Sequence, residues 1–350
     1  MRRGFELFGR RMGHGESTLI VAEMSANHNR DFKEAVKIIR AAKKSGADAV
    51  KLQTYTPDTL TIKSDKKWFR ITGGRGQTLY DLYSKASMPW EWQPKLKAMA
   101  DDLGIGLFST AFDPAAVEFL EKMGVVVHKV ASSEIVDHFL IEKMARTGKP
   151  MIISTGMATL NEIREAATVA RNAGASQLIL LKCTSAYPAP PEEMNLKTIP
   201  EMKNTFGVPV GLSDHTLGIT VPIAAVTLGV CVVEKHLTLS RAVRGPDSHF
   251  SLEPGEFATM VQAIRTAEEA MGEVRYGVTK QEARVHRYRR SLFVVKDMEK
   301  GEVFTEQNVR SIRPGQGLPP KCLKHVLGKR ASMEIDRATP LVWDHISRQR

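Results

Sequence analysis

Cysteine is scarce in this 350-residue chain: Cys183, Cys231 and Cys322 are odd in number and show no paired, metal-type spacing. A disulfide framework and a thiolate zinc site are therefore not expected, and a reducing, cytoplasmic compartment is. Long apolar runs are missing too. No stretch approaches the roughly 18 apolar residues that a membrane helix needs, so no membrane partner is expected. The opening MRRGFELFGRRMGHG is basic but lacks a continuous apolar segment of the secretory kind. Met12 reads as an alternative start, which would make the first eleven residues an unimportant extension. Aromatics amount to 7% and are not interleaved with arginine, and helix-turn-helix and zinc-finger spacings are absent. Nucleic acid is thus not the expected partner, although 50 Lys and Arg exceed 39 Asp and Glu for a net charge of +11. An anionic small substrate accounts for that charge as well.

What is present is a soluble, globular composition, 42% apolar and 25% charged, which excludes disorder and fibrous architectures. The length exceeds the roughly 100–200 residues of one average domain, so a large domain and a smaller one are expected. Short β-branched runs alternate with amphipathic stretches: TLIVAEM (18–24), AVKLQT (49–54), IGLFST (105–110), VVVHKVAS (125–132), PMIIST (150–155), LILLKCTS (178–185), PVGLSDH (209–215) and VVEKHLTL (232–239). Helical periodicity follows each, as in DFKEAVKIIRAAKKSG, which Gly46 closes. Eight such units over about 250 residues predict a (β/α)₈ TIM barrel. An open doubly wound sheet would want a glycine-rich phosphate loop after the first strand, and AEMSANHN holds no glycine. The reading is a 1–16 extension, a 17–276 barrel, a 277–285 linker (GVTKQEARV) and a small β-rich module over 286–350. That module carries 14 Lys and Arg against 7 Asp and Glu. At about 65 residues it is near the lower limit for independent folding.

Strand after strand turns polar at its carboxyl end, where a barrel gathers its active site. His215 and His236 end neighbouring strands and are the metal candidates; two imidazoles leave positions open for water and substrate, as Lewis-acid catalysis requires. Lys51, Lys129 and Lys182 lie on alternate strands and read as an anion cradle, with hydroxyls of Thr110, Ser132, Ser154 and Ser213 around it. Schiff-base chemistry at one lysine is the competing reading. Glu23, Glu134 and Asp247 are the acid–base candidates, each with a structural ion pair as the plainer alternative. Glu234 shares a strand with His236 and suggests a supporting role behind it. Cys183 has no evident activating partner.

AEMSANHN (22–29), GADAVKLQTYTPDTLT (46–61), HKVASSEI (128–135), LKCTSAYPAP (181–190), GLSDHT (211–216) and VEKHLTL (233–239) resemble the sialic acid synthase family. GGRGQTLYDLYSKASMPWEWQPKL (73–96), RRSLFVVKDMEKGE and RSIRPGQGLPP resemble its pseudaminic branch, and the likeness runs from about residue 17 to 345. The resemblance implies a barrel followed by an antifreeze-like (SAF) domain in a domain-swapped homodimer. It implies a transferase that condenses phosphoenolpyruvate with 2,4-diacetamido-2,4,6-trideoxy-altrose, using a divalent ion (Mn²⁺, Mg²⁺ or Co²⁺) on His215 and His236. Phosphoenolpyruvate contacts then fall on Lys51, Thr110, Lys129, Ser132, Ser154, Thr184 and Ser213; position 184 is more often asparagine in the sialic acid branch. Sugar contacts fall on Gln53, Tyr187 and a partner-delivered Arg313, with Glu23, Glu134 and Asp247 close by. Neuraminic and legionaminic synthases share this chemistry and are the nearest alternatives; an aldolase or a non-catalytic sugar-binding barrel is more remote. A 6-deoxy sugar calls for an apolar wall, which Trp90, Trp92 and the 73–93 loop either provide or, as core aromatics, do not.

Overall fold

The computed structural model describes residues 5–13, 15–71, 76–175 and 177–347. They fall into two compact units, Met1–Gly272 and Glu273–Arg350. In the first, strands β3 (Leu19–Glu23), β4 (Ala49–Thr54), β5 (Gly106–Ala111), β6 (His128–Val130), β7 (Met151–Ser154), β8 (Leu178–Cys183), β9 (Val210–Asp214) and β10 (Val232–His236) close into an all-parallel barrel. β10 returns to pair with β3, with His236 opposite Glu23. The sequence therefore anticipates all eight barrel strands.

Local signals explain the connecting helices. Asp31 caps the helix Phe32–Lys44 by accepting from the amides of Lys33 and Glu34, and Ala35, Ile38, Ile39 and Ala42 bury one face. Gly46 ends it at φ +85°, a conformation that side chains resist, with Val261 Cγ1 3.1 Å from where a Cβ would stand. The apolar mass lies in two places: between strands and helices, and inside the barrel below its mouth.

The amino-terminal segment overturns its reading as an unimportant extension. β1 (Phe5–Leu7) and β2 (Arg10–Met12) form an antiparallel hairpin. Leu7 and Met12 are buried among Val21, Ala49, Phe108 and Ile152 of the barrel interior. The Phe8 ring lies 5.7 Å from that of Phe108. It also occupies the space a side chain at Gly106 would take, 2.3 Å from such a Cβ. Arg10 Nε donates to Asp48 Oδ1 at 2.8 Å. The hairpin stoppers the end of the barrel opposite the site, and the two buried side chains contribute about 1.5–3 kcal/mol each. Residues 1–4 and 14 of that segment, and residues 73–75 of the 73–93 loop, lie outside the described residues.

The second unit has its own core of Leu292, Val294, Phe304, Val309, Val326, Ala331 and Leu341. Its regular strands are few: β11 (Ser291–Val294) pairs antiparallel with β12 (Val309–Ile312), and isolated bridges such as Met298 with Ile335 tie the remaining turns. Glycine is required at 317, where a Cβ would stand 2.2 Å from the Leu292 carbonyl oxygen. Arg313 follows β12 and is exposed.

Candidate active site

Strand parity builds the site. Along each strand alternate residues enter the barrel, so above an apolar layer that includes Val21, Ala49, Phe108, Ile152, Leu181 and Val232 stands a polar one. Glu23, Lys51, Thr110, Lys129, Ser154, Cys183, Ser213 and Glu234, one from each strand, line a cavity of about 210 Å³. Gln53, Ser132, Tyr187, His215, His236 and Asp247 complete its polar lining with Ser25.

The charges are buried and mostly paired. Lys51 Nζ lies 2.8 Å from Glu23 Oε2 and 3.5 Å from Glu234 Oε1. It also donates to Thr110 Oγ1 at 3.0 Å. Burial alone would lower Lys51, but Glu23 and Glu234 hold it above the ordinary lysine range. Burial pushes Glu23 up to about 7, against the pull of Lys51. Glu234 accepts from Ser213 Oγ at 3.2 Å, so it belongs to the lining rather than to a supporting layer behind His236. Gln53 Nε2 donates to Glu23 Oε1 and to Ser25 Oγ, both at 3.0 Å, and Ser25 in turn donates to Asp247. One hydrogen-bond chain thus links Glu23 to Asp247.

Lys129 differs from Lys51. It is 1% exposed, donates to Ser154 Oγ at 2.6 Å and to the Val130 carbonyl at 2.9 Å, and forms no ion pair with a carboxylate among the described residues. Burial brings it down to about 8, with Glu234 the largest counterweight. A buried ammonium held by neutral groups is costly until an anion arrives. Beside it, Ser132 Oγ accepts from the Gly156 amide at 3.1 Å, and Ser185 Oγ is buried without a partner. Any side chain at Gly156 would stand 2.2 Å from Ser185 Oγ and 2.7 Å from Ser132 Oγ. Anion-sized polar contacts are left open here.

His215 and His236 have ring centroids 5.2 Å apart. His215 Nδ1 donates to the Thr184 carbonyl at 2.9 Å, which leaves Nε2 as the nitrogen that would meet an ion once the ring is neutral. His236 Nδ1 is buried and unpartnered. Burial, with the charges of His215, Lys51 and Lys235, holds His236 well below the usual histidine range. Burial lowers His215 too, but Cys183, the Thr184 carbonyl and Glu234 outweigh it and hold that ring above the usual histidine range, so a divalent ion would bind His236 as it stands and His215 on losing its proton. No group of three or more His, Cys, Asp or Glu poised for one exists among the described residues, so further ligands would be oxygens of substrate and water.

Three expectations need correction, for Lys182, Thr184 and Glu134, and the open alternative for Trp90 and Trp92 is decided. Lys182 is not part of the cradle: it alternates with the inward Leu181 and Cys183, and its Nζ donates to the Cys183 carbonyl and to Thr184 Oγ1. Thr184 offers the cavity no side chain; its hydroxyl donates to the Glu193 carbonyl at 3.3 Å, while its carbonyl orients His215. Glu134 stands outside the lining; burial raises it, and Oε2 is unpartnered. Trp90 and Trp92 are packing aromatics: Trp90 donates to the Tyr55 carbonyl and packs on Phe119, and Trp92 packs on Phe32. The 73–93 segment does supply an apolar wall, through Leu82, Tyr83 and Ala86 of the helix Leu79–Ala86, with Tyr55 and Phe112 beside them. Arg313 belongs to the second unit.

Sequence reasoning missed Ser25 and Cys183 as lining residues. Cys183 follows the inward Leu181 by two residues, a parity that only barrel closure fixes; its Sγ lies 3.9 Å from His215 Nδ1. Ser25 meets Asp247 across 222 positions, which no local pattern signals.

A closed parallel barrel with an anion-ready lysine and two imidazoles at its mouth defines a barrel enzyme for an anionic substrate. Residues 38–276 match the model of the NeuB family and residues 289–347 that of the SAF domain. This chain belongs to the NeuB family. The pseudaminic acid synthase of Helicobacter pylori is 45% identical over 94% of this chain and 98% of its own. The N,N'-diacetyllegionaminic acid synthase of Legionella pneumophila is 37% identical over 95% and 96%. The crystal structure of the sialic acid synthetase of Leptospira borgpetersenii, in complex with citrate, is similar at 29% identity, covering 81% of this chain and 95% of that one with a TM-score of 0.73.

Proposed function

We propose that this chain is a pseudaminic acid synthase, condensing phosphoenolpyruvate with 2,4-diacetamido-2,4,6-trideoxy-altrose to give pseudaminic acid and phosphate. The observation that carries the reading is Lys129: a buried cation bonded to the Ser154 hydroxyl and the Val130 carbonyl, with no carboxylate ion pair among the described residues, in a chain 45% identical to a pseudaminic acid synthase. The apolar wall of Leu82, Ala86 and Phe112 supports a 6-deoxy sugar, whose methyl group asks for no hydrogen bond.

Lys129, Ser154 and Ser132 bind and orient the anionic groups of phosphoenolpyruvate, and Lys51 with Thr110 holds the other side of that molecule. Its C3 bonds to the C1 aldehyde carbon of the open-chain sugar. Water adds at C2, and the bond from C2 to the phosphate oxygen then breaks, releasing phosphate. His215 and His236 would hold a divalent ion, Mn²⁺, Mg²⁺ or Co²⁺, which would supply Lewis-acid polarisation of the aldehyde. The Glu23–Gln53–Ser25–Asp247 chain takes the proton from water and positions sugar hydroxyls, with Tyr187 at the rim. Arg313 reaches a neighbouring subunit's barrel in a domain-swapped homodimer, and the enzyme works in the cytoplasm. Three free cysteines, and the lack of any membrane-length apolar helix among the described residues, are compatible with that setting.

The direct test is phosphate release from phosphoenolpyruvate and Mn²⁺ with the altro sugar, the legionaminic precursor and N-acetylmannosamine compared. Preference for the altro sugar is expected; preference for either other sugar overturns the branch and keeps the chemistry. A lysine near pH 8 would also serve a Schiff-base aldolase, which predicts a borohydride-trapped adduct and activity that survives EDTA. The condensation predicts neither.

The same lysine sets a pH dependence. Glu234, Lys51, Cys183 and Glu23 are the titratable groups that act on Lys129, and its free-enzyme value stays near 8 among them. Only its protonated form attracts the anion. The kcat/KM for phosphoenolpyruvate should therefore fall about tenfold per unit above pH 8, and, because Glu23 near 7 must be ionised to take the water proton, it should also fall below about pH 7. A profile level from pH 7 to 9.5 would remove Lys129 as the anion anchor.

A further inference from the structure

Behind the two histidines lies a buried ion pair that the chemistry above does not use. Asp214 ends β9 and Lys235 lies in β10, directly opposite in strand register. Their side chains are 0% and 1% exposed. Ser213 and His215 line the cavity, as do Glu234 and His236, whereas Asp214 and Lys235 do not. The pair therefore occupies the outer face of the barrel wall, one residue before each histidine.

Its hydrogen bonds converge on the backbone that carries His215. Lys235 Nζ donates to Asp214 Oδ2 and to the Thr216 carbonyl. Asp214 Oδ1 accepts from the Thr216 amide at 3.1 Å and Oδ2 from the Thr216 hydroxyl at 3.0 Å. His215 is thus held between two residues tied to each other and to β10 at the residue next to His236. A buried ion pair here is poor value for stability, since well-packed apolar residues of similar volume usually serve as well or better. What apolar residues cannot do is bond the Thr216 carbonyl and amide.

We infer that Asp214 and Lys235 are positioning residues that set the spacing of His215 and His236 for a shared divalent ion. This rests on the reading of those histidines as the ion's protein ligands. The pair touches neither substrate nor ion; it acts by locking two strand ends to each other.

The test measures Mn²⁺ affinity without turnover, from the electron paramagnetic resonance signal of free Mn²⁺ during titration of the full-length chain. Lys235→Met alone strands a buried carboxylate and is expected to fold poorly. The informative variant is Asp214→Leu with Lys235→Met, which removes both charges and keeps the packing. It should stay folded but melt below the native protein, because the buried Thr216 amide, hydroxyl and carbonyl lose their partners, and it should bind Mn²⁺ about tenfold or more weakly, with kcat recovering at saturating Mn²⁺. Asp214→Asn, nearly isosteric, gives a second measurement should the double variant not fold, and a several-fold loss of affinity is expected. A folded variant of either kind with native Mn²⁺ affinity overturns the inference. If the native chain and a His236→Ala variant bind Mn²⁺ equally, or neither binds it, the metal reading falls and this inference with it.

Discussion

Replacing His236 with alanine is expected to lower phosphate release by about three orders of magnitude, several kcal/mol of lost carbonyl polarisation, while the barrel stays folded. The fold should survive because little depends on this imidazole. Its Nδ1 has no hydrogen-bond partner, the side chain borders the cavity, and its chief neighbour is the Phe250 ring at 4.7 Å. The strand beneath it is held through the backbone, where the Leu237 amide donates to the Glu23 carbonyl at 2.9 Å. A circular-dichroism melt should therefore move little while Mn²⁺ affinity and turnover collapse together. Native turnover in this variant would remove the metal assignment. Mixing it with Arg313→Ala protomers tests the proposed swap: subunits re-formed from both should regain about a quarter of native activity, since each mixed dimer completes one site. No recovery after verified subunit exchange would exclude a cross-subunit role for Arg313.

Lys51→Met is expected to damage both stability and catalysis. Lys51 is the cation shared by Glu23 and Glu234, whose side chains are 1% and 7% exposed. Removing it leaves buried carboxylates without a counter-charge, a loss on the order of 3–5 kcal/mol at pH 8. It should also raise the KM for phosphoenolpyruvate by at least tenfold, the scale of one charge-assisted hydrogen bond. The stability loss should depend on pH in a definite direction. Burial already lifts Glu23 to about 7, and without Lys51 it rises further above its unfolded value. A carboxyl group raised on folding favours the folded state fully below its unfolded value, and that advantage is lost as pH rises through the folded one. The gap in Tm between native and variant should thus be small at pH 5 and wide at pH 8. An equal gap at both would mean that Glu23 does not depend on Lys51 for its charge.

Much of this was legible without coordinates. Barrel strands such as 49–54 were visible as short β-branched runs, and the helix after β3 announced itself through its amphipathic period and Gly46. Glu23, Lys51, Lys129, Ser154, Ser213, His215 and His236 could be picked out because polar residues ending apolar strands are costly unless they serve a site. The hairpin was misread for a physical reason: FELFGRRM is short and basic, and its apolar residues gain their value only against Phe108 and the barrel floor.

The sequence by itself determined the period of the chain, hence the strands, the helices and the end of the barrel where polar side chains gather. Tertiary structure alone decided which of those polar residues face inward. In a parallel sheet covered on both faces, either parity of a strand is apolar, so LILLKCTS does not say whether Lys182 or Cys183 enters the cavity. VVEKHLTL likewise does not say that Glu234 and His236 go in while Lys235 goes out to Asp214. Barrel closure settles it, because shifting any strand by one residue would exchange its two faces and put Lys182 where Cys183 now meets His215.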